Sequence, residues 1–333
     1  MQKNWISLGL MSGTSGDGVD ASIIRTNGVN QYEPIKDEYF EYDKDIYEDI
    51  HNLKEKIDKI GHLKTYQKEI KSLERKITIF HASIIKKLNV DNDTVVGFHG
   101  QTIYHNSQEK ISKQLGNGKL LSQLTKKNIV YNFRSKDILN GGEGAPLSPI
   151  FHQLISLQKK INPPVCFLNI GGISNITIVK NTNKFSELLS KDIGPGNCLI
   201  DTWVRKNSNK KFDKNGSLAL SGKKNEIIFE QAQELYVNRK NKKKRSLDTN
   251  DFDVSFARGL SLEDGVTTLT DFTASILGQE LNSSLTDFVN KDIYILLCGG
   301  GRKNKSLIKK ISENLPKNIK LKLIDDYKID GDF

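Results

Sequence analysis

A glycine-rich turn near the start of the chain separates two apolar runs. The stretch GLMSGTSGDGVDASII, residues 9–24, places Gly, Ser, Thr and Asp in this turn, and the run after it alternates apolar and polar positions over Val19–Ile24. Short apolar or alternating runs bounded by turn residues are typical of β-strands. The pattern therefore predicts a β-hairpin.

Apolar residues at helical spacing follow the hairpin in a long polar stretch. The first set consists of Ile46, Ile50, Leu53, Ile57 and Ile60. The second set consists of Tyr66, Ile70, Leu73, Ile77, Phe80, Ile84 and Leu88. This spacing predicts two helices that are broken near Gly61, each with one apolar stripe.

Strands and helices alternate along the remainder of the chain. Strands are predicted at Thr94–Phe98, ending in HGQTIYH (residues 99–105), and at Ile129–Tyr131. Further elements are a strand, turn and strand at Val165–Val179, helices at Asn225–Tyr236 and Val266–Leu285, a strand at Ile293–Cys298 and a helix with Leu307, Ile308 and Ile311. This alternation predicts an α/β fold.

The run VCFLNIGGISNITIV, residues 165–179, repeats the apolar strand, glycine turn and apolar strand of the opening hairpin. Two such hairpins indicate a duplicated domain in which each copy offers one turn to a phosphate. A chain of 333 residues is also too long for one ordinary core. We therefore predict two domains, residues 1–142 and 143–333, with a ligand cleft between them.

The net charge of +10 does not by itself indicate a nucleic-acid partner. Lysine is abundant throughout, whereas a nucleic-acid binder concentrates basic residues beside aromatic or base-reading neighbours. The dense run RKNKKKR, residues 239–245, lacks such neighbours, and we interpret it as a solvated loop. We expect no nucleic-acid partner.

Cysteine spacing and hydropathy suggest a cytoplasmic protein. Cys166, Cys198 and Cys298 are far apart and odd in number, which fits neither a disulfide framework nor a zinc site. The N-terminal sequence lacks the apolar core of a signal peptide, and no run approaches the length of a membrane span. We expect no membrane partner.

Two glycine turns are candidates for anion binding. Small residues in the first hairpin let backbone N–H groups converge on a phosphate, but the turn has no lysine and leads into a strand, which excludes a Walker loop. Gly299–Gly301, between a strand and a helix, would let a flat or anionic group approach the backbone. Taken singly, the first hairpin is more typical of a structural surface turn, and a glycine triplet also occurs in plain tight turns.

Five motifs together resemble one family, the anhydro-N-acetylmuramic acid kinases. They are GLMSGTSGDGVDA, GFHGQTIYH, GGEGAPLSPIFH, LNIGGISNIT with DIGPGN, and LLCGGGRKN, in the family's order from residue 9 to about 330. The resemblance implies two duplicated actin- or hexokinase-like (ribonuclease H-like) domains around a nucleotide cleft. It also implies an ATP-dependent enzyme that opens 1,6-anhydro-N-acetylmuramic acid with water and phosphorylates its 6-oxygen, in peptidoglycan recycling. Family members are often homodimers.

The resemblance assigns roles to residues of these motifs. Asp192 matches the catalytic base. The nucleotide contacts are Gly13, Thr14, Ser15, Gly16, Asp17, Gly18, Val19, Asp20, Gly171, Gly172 and Asn175, with Gly299, Gly300 and Gly301 against adenosine. Asp17 or Asp20 would orient Mg²⁺, directly or through water. The sugar contacts are His99, Gln101, Thr102 and Arg134; Arg134 suits the lactyl carboxylate, and His99 is expected to be a scaffold.

The sequence departs from the family pattern at three places. Gly16 replaces a residue that is commonly leucine, which predicts a looser turn, and Asn132 replaces a common aspartate. The third departure is at the end. After DDYKIDGDF, residues 325–333, the family continues into Met-Glu-Ala and a closing helix, so we expect either a fragment or an impaired enzyme.

The role of the segment Gly141–Pro146 stays open. It is either the floor of the pocket or a plain interdomain loop.

Two rival functions stay open at the level of the sequence. The first is another sugar or acyl phosphotransferase of the same superfamily. The second is a non-catalytic sensor of nucleotides or muropeptides.

Overall fold

Two compact units make up the computed structural model, which describes residues 4–182, 187–239, 247, 249–288 and 291–332. The first unit ends at Ala145, and the second runs from Pro146 to Asp332. Residues 240–245 of the basic run lie outside the described residues.

Six strands form the sheet of the first unit. They are β1 (Trp5–Ser12), β2 (Gly18–Thr26), β3 (Tyr32–Glu41), β4 (Val95–Asn106), β5 (Ile111–Leu115) and β6 (Asn128–Tyr131). The order is β3-β2-β1-β4-β5, and β6 pairs with the first part of β4. The first three strands are an antiparallel meander, whereas β4 is parallel to β1 and β6 is parallel to β4. The predicted opening hairpin is confirmed as β1 and β2.

Helices cover the apolar side chains of this sheet. They are α1 (Lys44–Lys56), α2 (Ile60–Thr65), α3 (Gln67–Leu88), α4 (Gly118–Thr125) and α5 (Ser135–Leu139). The predicted stripes are confirmed for α1 and α3, where Ile46, Ile50 and Leu53 of α1 and Ile70, Leu73, Ile77 and Ile84 of α3 are buried in one core with β1 and β4. The prediction of a single helix break near Gly61 was wrong. The backbone leaves the helical region at Ile57, and Gly61 lies inside the short helix α2. Ile60, the first residue of α2, is exposed and does not belong to the buried stripe.

Five strands form the sheet of the second unit. They are β7 (Val165–Ile170), β8 (Ile173–Val179), β9 (Leu188–Pro195), β10 (Ile293–Cys298) and β11 (Ile319–Leu323), in the order β11-β10-β7-β8-β9. Here too the first three strands, β7, β8 and β9, form an antiparallel meander. Strand β10 is parallel to β7, and β11 is parallel to β10. Five strands of each unit therefore share one topology, to which the first unit adds the antiparallel β5, and the predicted duplicated α/β fold is confirmed.

The helices of the second unit pack around a long central one. They are α6 (Pro149–Gln158), α7 (Cys198–Asn207), α8 (Ser217–Ser221), α9 (Glu226–Arg239), α10 (Leu262–Ser284) and α11 (Lys305–Glu313). Helix α10 begins four residues before the predicted Val266, because the Ser261 Oγ accepts a hydrogen bond from the Asp264 N–H at 3.1 Å and caps its first turn.

Two further features concern the cysteines and the helices. Cys166, Cys198 and Cys298 are not joined in disulfides within the described residues. Within the described ranges, no helix combines the length and the apolar character that crossing a membrane requires.

Candidate functional site

The turn between β1 and β2 is held by hydrogen bonds to its carbonyl oxygens. The Gly13 oxygen accepts from the Gly16 N–H at 3.2 Å and from Gln101 Nε2, on β4, at 2.9 Å. The Ser15 Oγ donates to Asp17 Oδ1 at 2.6 Å. These bonds close the turn without using the N–H groups of Thr14 and Ser15.

Gly16 suits this turn rather than loosening it. Its φ of +67° lies in the left-handed region that favours glycine. A Cβ at this position would also lie 2.9 Å from the Ile50 Cγ2 of α1. The looser turn that the sequence predicted is therefore not observed, because the turn is packed on a helix.

Asp17 and Asp20 lie at the start of β2, beside Tyr39 of β3. Asp20 is paired in register with Tyr39, whose hydroxyl oxygen would lie 2.5 Å from a Cβ at Gly18. Burial, and then the charges of Asp17, Glu41 and Asp20, raise the pKa of Tyr39. The tyrosine therefore stays protonated beside these carboxylates.

A magnesium ion would find few protein ligands at this turn. In the part of the chain that the structure describes, no three His, Cys, Asp or Glu side chains converge on one point. Mg²⁺ commonly takes one or two carboxylates and completes its shell with water and substrate phosphates. Asp17 and Asp20 fit that donor set.

His99, inside β4, and Arg134, shortly after β6, form a hydrogen-bonded pair. His99 is buried, and its Nδ1 lies 2.6 Å from the Gly100 oxygen, which can only accept. The ring therefore carries its proton on Nδ1 and offers Nε2 to Arg134 Nε and Nη2, at 3.2 and 2.9 Å. Arg134 Nη1 donates to the Gly144 oxygen at 2.7 Å. Burial, reinforced by Arg134, lowers the pKa of His99 to about 3.

Gln101 and Thr102 differ in their surroundings. Gln101 is fully buried, its amide nitrogen braces Gly13, and its Oε1 has no hydrogen-bond partner among the residues the structure describes. Thr102 is half-buried, and its Oγ1 accepts from Gln114 Nε2 at 3.2 Å. Their predicted contacts with a sugar stay predictions, and Gln101 has in addition a structural task.

The second glycine turn packs directly against the DIGPGN motif. The Gly172 oxygen accepts from the Gly196 N–H at 2.9 Å, and the Gly171 oxygen accepts from the Asn197 N–H at 2.8 Å. A Cβ at Gly196 would overlap the Gly171 oxygen, so only glycine allows this approach. The turn and the motif thus form one rigid backbone unit before α7.

Asp192 lies within β9 rather than in the turn that follows it. It is paired in register with Asn175 of β8, which is itself paired with Asn169 of β7. These paired side chains form a polar row on one face of the sheet. The Leu247 N–H donates to Asp192 Oδ2 at 2.8 Å, and the Asn175 Oδ1 is buried without a partner among the described residues.

The three glycines after β10 have separate tasks. Gly299 has a φ of +77°, and its N–H donates to the Gly331 oxygen at 2.6 Å. A Cβ at Gly301 would overlap the Ile170 side chain at the end of β7, whereas Gly300 faces open space. Gly300 is therefore the position with room for a ligand.

Each unit gathers its candidate residues at the carboxyl ends of its parallel strands. In the first unit this edge carries Gly13–Asp17 after β1 and Arg134 after β6. In the second unit it carries Gly171 after β7 and Gly299–Gly301 after β10, with Asp192 near the end of β9. Ligands of α/β proteins collect at such edges.

Sequence patterns missed two residues beside these turns. Lys54 of α1 donates from Nζ to the Thr14 oxygen at 2.6 Å. Arg302, almost fully buried, donates to Asp325 and also contacts Asp330 and Asp332. For the contact between Lys54 and Thr14, the only local signal in the sequence was the position of this lysine four residues after Ile50.

Two sheets that share a five-strand topology, each with glycine turns at the carboxyl ends of its strands, define a duplicated α/β protein. The family model described as anhydro-N-acetylmuramic acid kinase matches residues 5–333. The anhydro-N-acetylmuramic acid kinase of Pelagibacter ubique is 57% identical, covering 100% of this chain and 89% of that protein. The one of Zymomonas mobilis is 33% identical, covering 98% and 89%.

Solved structures resemble this chain more distantly. The activator of 2-hydroxyisocaproyl-CoA dehydratase from Clostridium difficile, with bound ADPNP, has a TM-score of 0.42 at 12% identity and covers 100% of this chain and 90% of its own. A hexokinase from Schistosoma mansoni complexed with glucose has a TM-score of 0.40 at 10% identity, with 98% and 83% covered.

The chain belongs to the anhydro-N-acetylmuramic acid kinase family. The predicted family and the predicted class of enzyme, an ATP-dependent kinase, are thereby confirmed.

Proposed function

We propose that this chain uses ATP and water to convert 1,6-anhydro-N-acetylmuramic acid into N-acetylmuramic acid 6-phosphate and ADP. Identity of 57% with the Pelagibacter ubique kinase over the whole chain supports this reaction. The free thiols and the use of ATP favour a cytoplasmic location in peptidoglycan recycling.

The observation that carries the mechanism is the position of Asp192. Its carboxylate stands in a polar row on β9, three residues before the Pro195–Gly196 backbone that packs on the second glycine turn. Water must attack the anomeric carbon while the bridging C–O bond breaks, and the freed 6-oxygen takes the γ-phosphoryl group. Asp192 accepts the proton that the water loses. The Leu247 N–H on Oδ2 holds this carboxylate in one orientation.

The glycine turns bind the nucleotide in this proposal. In the first unit, the N–H groups of Thr14 and Ser15 are assigned to phosphate oxygens. In the second unit, Gly171, Gly172 and Asn175 are assigned to phosphate. Gly300, with open space beside it, receives adenosine. Asp17 and Asp20 would hold Mg²⁺ directly or through water, and the bound ion would neutralise phosphate charge during transfer.

Arg134 recognises the sugar through its lactyl carboxylate. His99 and the Gly144 oxygen fix the plane of its guanidinium group, and a planar guanidinium group suits a carboxylate. His99 stays neutral at physiological pH and acts as a positioning residue. Thr102, on the same strand as His99, supplies a hydroxyl group to the sugar.

The decisive experiment is an Asp192→Asn variant in a coupled ADP-release assay. We expect ATP binding to be retained and turnover to fall at least ~100-fold, because the proton acceptor is lost. Asp287→Asn, an exposed carboxylate paired with Lys180 in the same unit, serves as the control and keeps full activity. Full activity of Asp192→Asn would refute the assignment of the base.

The same assay separates the rival functions. ADP release by the wild type must depend on both the anhydro sugar and Mg²⁺. Phosphorylation of N-acetylglucosamine without any anhydro sugar would favour another phosphotransferase, and ligand binding without turnover would favour a sensor.

A further inference from the structure

We propose that Lys54 is a positioning residue for the phosphate-binding turn of the first unit. Its ammonium group holds the Thr14 carbonyl in the orientation that turns the Ser15 N–H toward a terminal phosphate of the nucleotide. This inference rests on the proposed function, in which residues 13–15 bind phosphate.

The contact comes from one face of α1. Ile50 and Lys54 are four residues apart and therefore neighbours on the helix surface. Ile50 packs against Gly16, and the Lys54 Nζ donates to the Thr14 oxygen at 2.6 Å. The side chains of Ile46, Ile50 and Leu53 in α1 are buried in the core of the unit. This packing sets the position of the helix relative to the turn.

Peptide planarity converts this contact into an orientation of the amides. In a trans peptide the C=O and the N–H of one unit point in opposite directions. The Gly13 oxygen is held by Gln101 and Gly16, and the Thr14 oxygen is held by Lys54. The N–H groups of Thr14 and Ser15 must then point away from Gln101 and Lys54.

Both amides are available on the exposed side of the turn. Thr14 and Ser15 are exposed, and neither N–H donates a hydrogen bond within the described ranges of the chain. Successive N–H groups with this orientation make an anion-binding concavity. Without the Lys54 contact, the Thr14–Ser15 peptide could rotate and present its carbonyl oxygen to the phosphate.

Lys54 also brings a positive charge to a turn whose charged side chains, Asp17 and Asp20, are negative. A turn with its own lysine would not need this contribution, but residues 13–18 contain none. The lysine contributed by α1 is separated from Thr14 by 40 residues in sequence.

The test compares Lys54→Met with Lys44→Met, an exposed lysine at the start of the same helix. Methionine keeps most of the aliphatic stem and removes only the ammonium group. We expect Lys54→Met to raise the KM for ATP on the order of tenfold, which corresponds to the loss of one oriented hydrogen bond to phosphate. The KM for the anhydro sugar and the activity of Lys44→Met stay unchanged. Lys54→Arg restores part of the affinity.

The ¹H–¹⁵N resonance of Ser15 supplies a second readout. In the wild type, a non-hydrolysable ATP analogue with Mg²⁺ shifts this resonance, and in Lys54→Met the shift is strongly reduced. If both proteins show the same shift and the same KM for ATP, Lys54 has no positioning role. If the wild type shows no shift although it turns over ATP, the phosphate-binding role proposed for residues 13–15 is itself wrong. Should Lys54→Met fail to fold, Lys54→Ala takes its place, and a wild-type KM for ATP with a wild-type Ser15 shift in that variant overturns the proposal.

Discussion

Arg134 directs two of its nitrogen atoms, Nε and Nη2, at a single acceptor, the Nε2 of His99, at 3.2 and 2.9 Å. This arrangement requires a neutral imidazole with its proton on Nδ1, where the Gly100 oxygen accepts it. The histidine thus belongs to the support of the arginine, and the chemistry of the site is left to other groups.

Arg134→Lys should impair recognition of the sugar and leave nucleotide binding intact. A lysine cannot reach His99 and Gly144 at once and cannot present a planar fork to a carboxylate. We expect the KM for the anhydro sugar to rise at least ~10-fold, the scale of one lost charge-assisted pair, with the KM for ATP unchanged. Lys136→Met, in the adjacent α5, is the control. An equal rise of both KM values would contradict the assigned role.

Protonation of three buried histidines should make the protein less stable in mild acid. Burial lowers the pKa of His81 and His152 to about 4 and of His99 to about 3. Because the unfolded value is about 6.5, the unfolded chain binds more protons below that pH, and stability falls as pH falls from about 6.5 toward 4. Each histidine contributes a slope of about 1.4 kcal/mol per pH unit.

Urea unfolding at several pH values measures this slope. His81→Phe should flatten it by about one histidine's share, about 1.4 kcal/mol per pH unit. A variant with an unaltered slope would show that His81 does not stay neutral in the folded state.

Two neighbouring glycines should respond oppositely to the same substitution. Gly301→Ala places a methyl group on the Ile170 side chain and should cost about 1–3 kcal/mol, the usual cost of overpacking. Gly300→Ala meets nothing within 4 Å and should change stability by less than about 0.5 kcal/mol. Thermal unfolding of both variants decides the matter, and equal losses would contradict the packing described for Gly301.

Removal of Arg302 should loosen the turn after β10. Its Nε and Nη2 bind both oxygens of Asp325, at 2.8 and 2.9 Å, and its side chain is only 5% exposed. Arg302→Met leaves three carboxylates without this partner, and we expect a loss of about 2 kcal/mol with faster hydrogen exchange at the Gly299 N–H. Lys320→Met, on the exposed β11, is the control.

The pH dependence of this loss follows from Asp325. The hydrogen bonds and charge of Arg302 lower the pKa of Asp325, so its stabilising contribution is present above the unfolded value near 4 and is lost as pH falls through the folded value. The difference between wild type and Arg302→Met should therefore shrink in strong acid. A difference that is constant down to pH 2 would contradict an ionic origin.

Local patterns in the sequence predicted most of the strands, the main helices and the duplication. The run Val19–Ile24 and the repeat at residues 165–179 are periodic over a few residues, and such periods are set by which faces of an element are buried. The predicted boundaries of the helices differed more from those in the structure. The short α2 around Gly61 and the early start of α10 at Leu262 depend on single residues at the ends of helices.

The candidate site was predicted as motifs but not as contacts. The glycine turns were found because small residues are visible locally, whereas Asp192 was assigned through the family resemblance of its motif. The bracing of Gly13 by Gln101 joins residues 88 apart, and the contact of Lys54 with Thr14 joins residues 40 apart. No local period encodes such pairs.

The sequence by itself determined an α/β chain with two related glycine hairpins and membership of a kinase family, because strand period, turn composition and motif order are properties of neighbouring residues. The tertiary structure alone decided that Gly16 is packed on Ile50, that His99 is held neutral beside Arg134, and that a lysine from α1 donates to the Thr14 oxygen. Those features depend on side chains that meet only after the sheet and its helices have packed, when burial and distance fix which charges and hydrogen bonds can form.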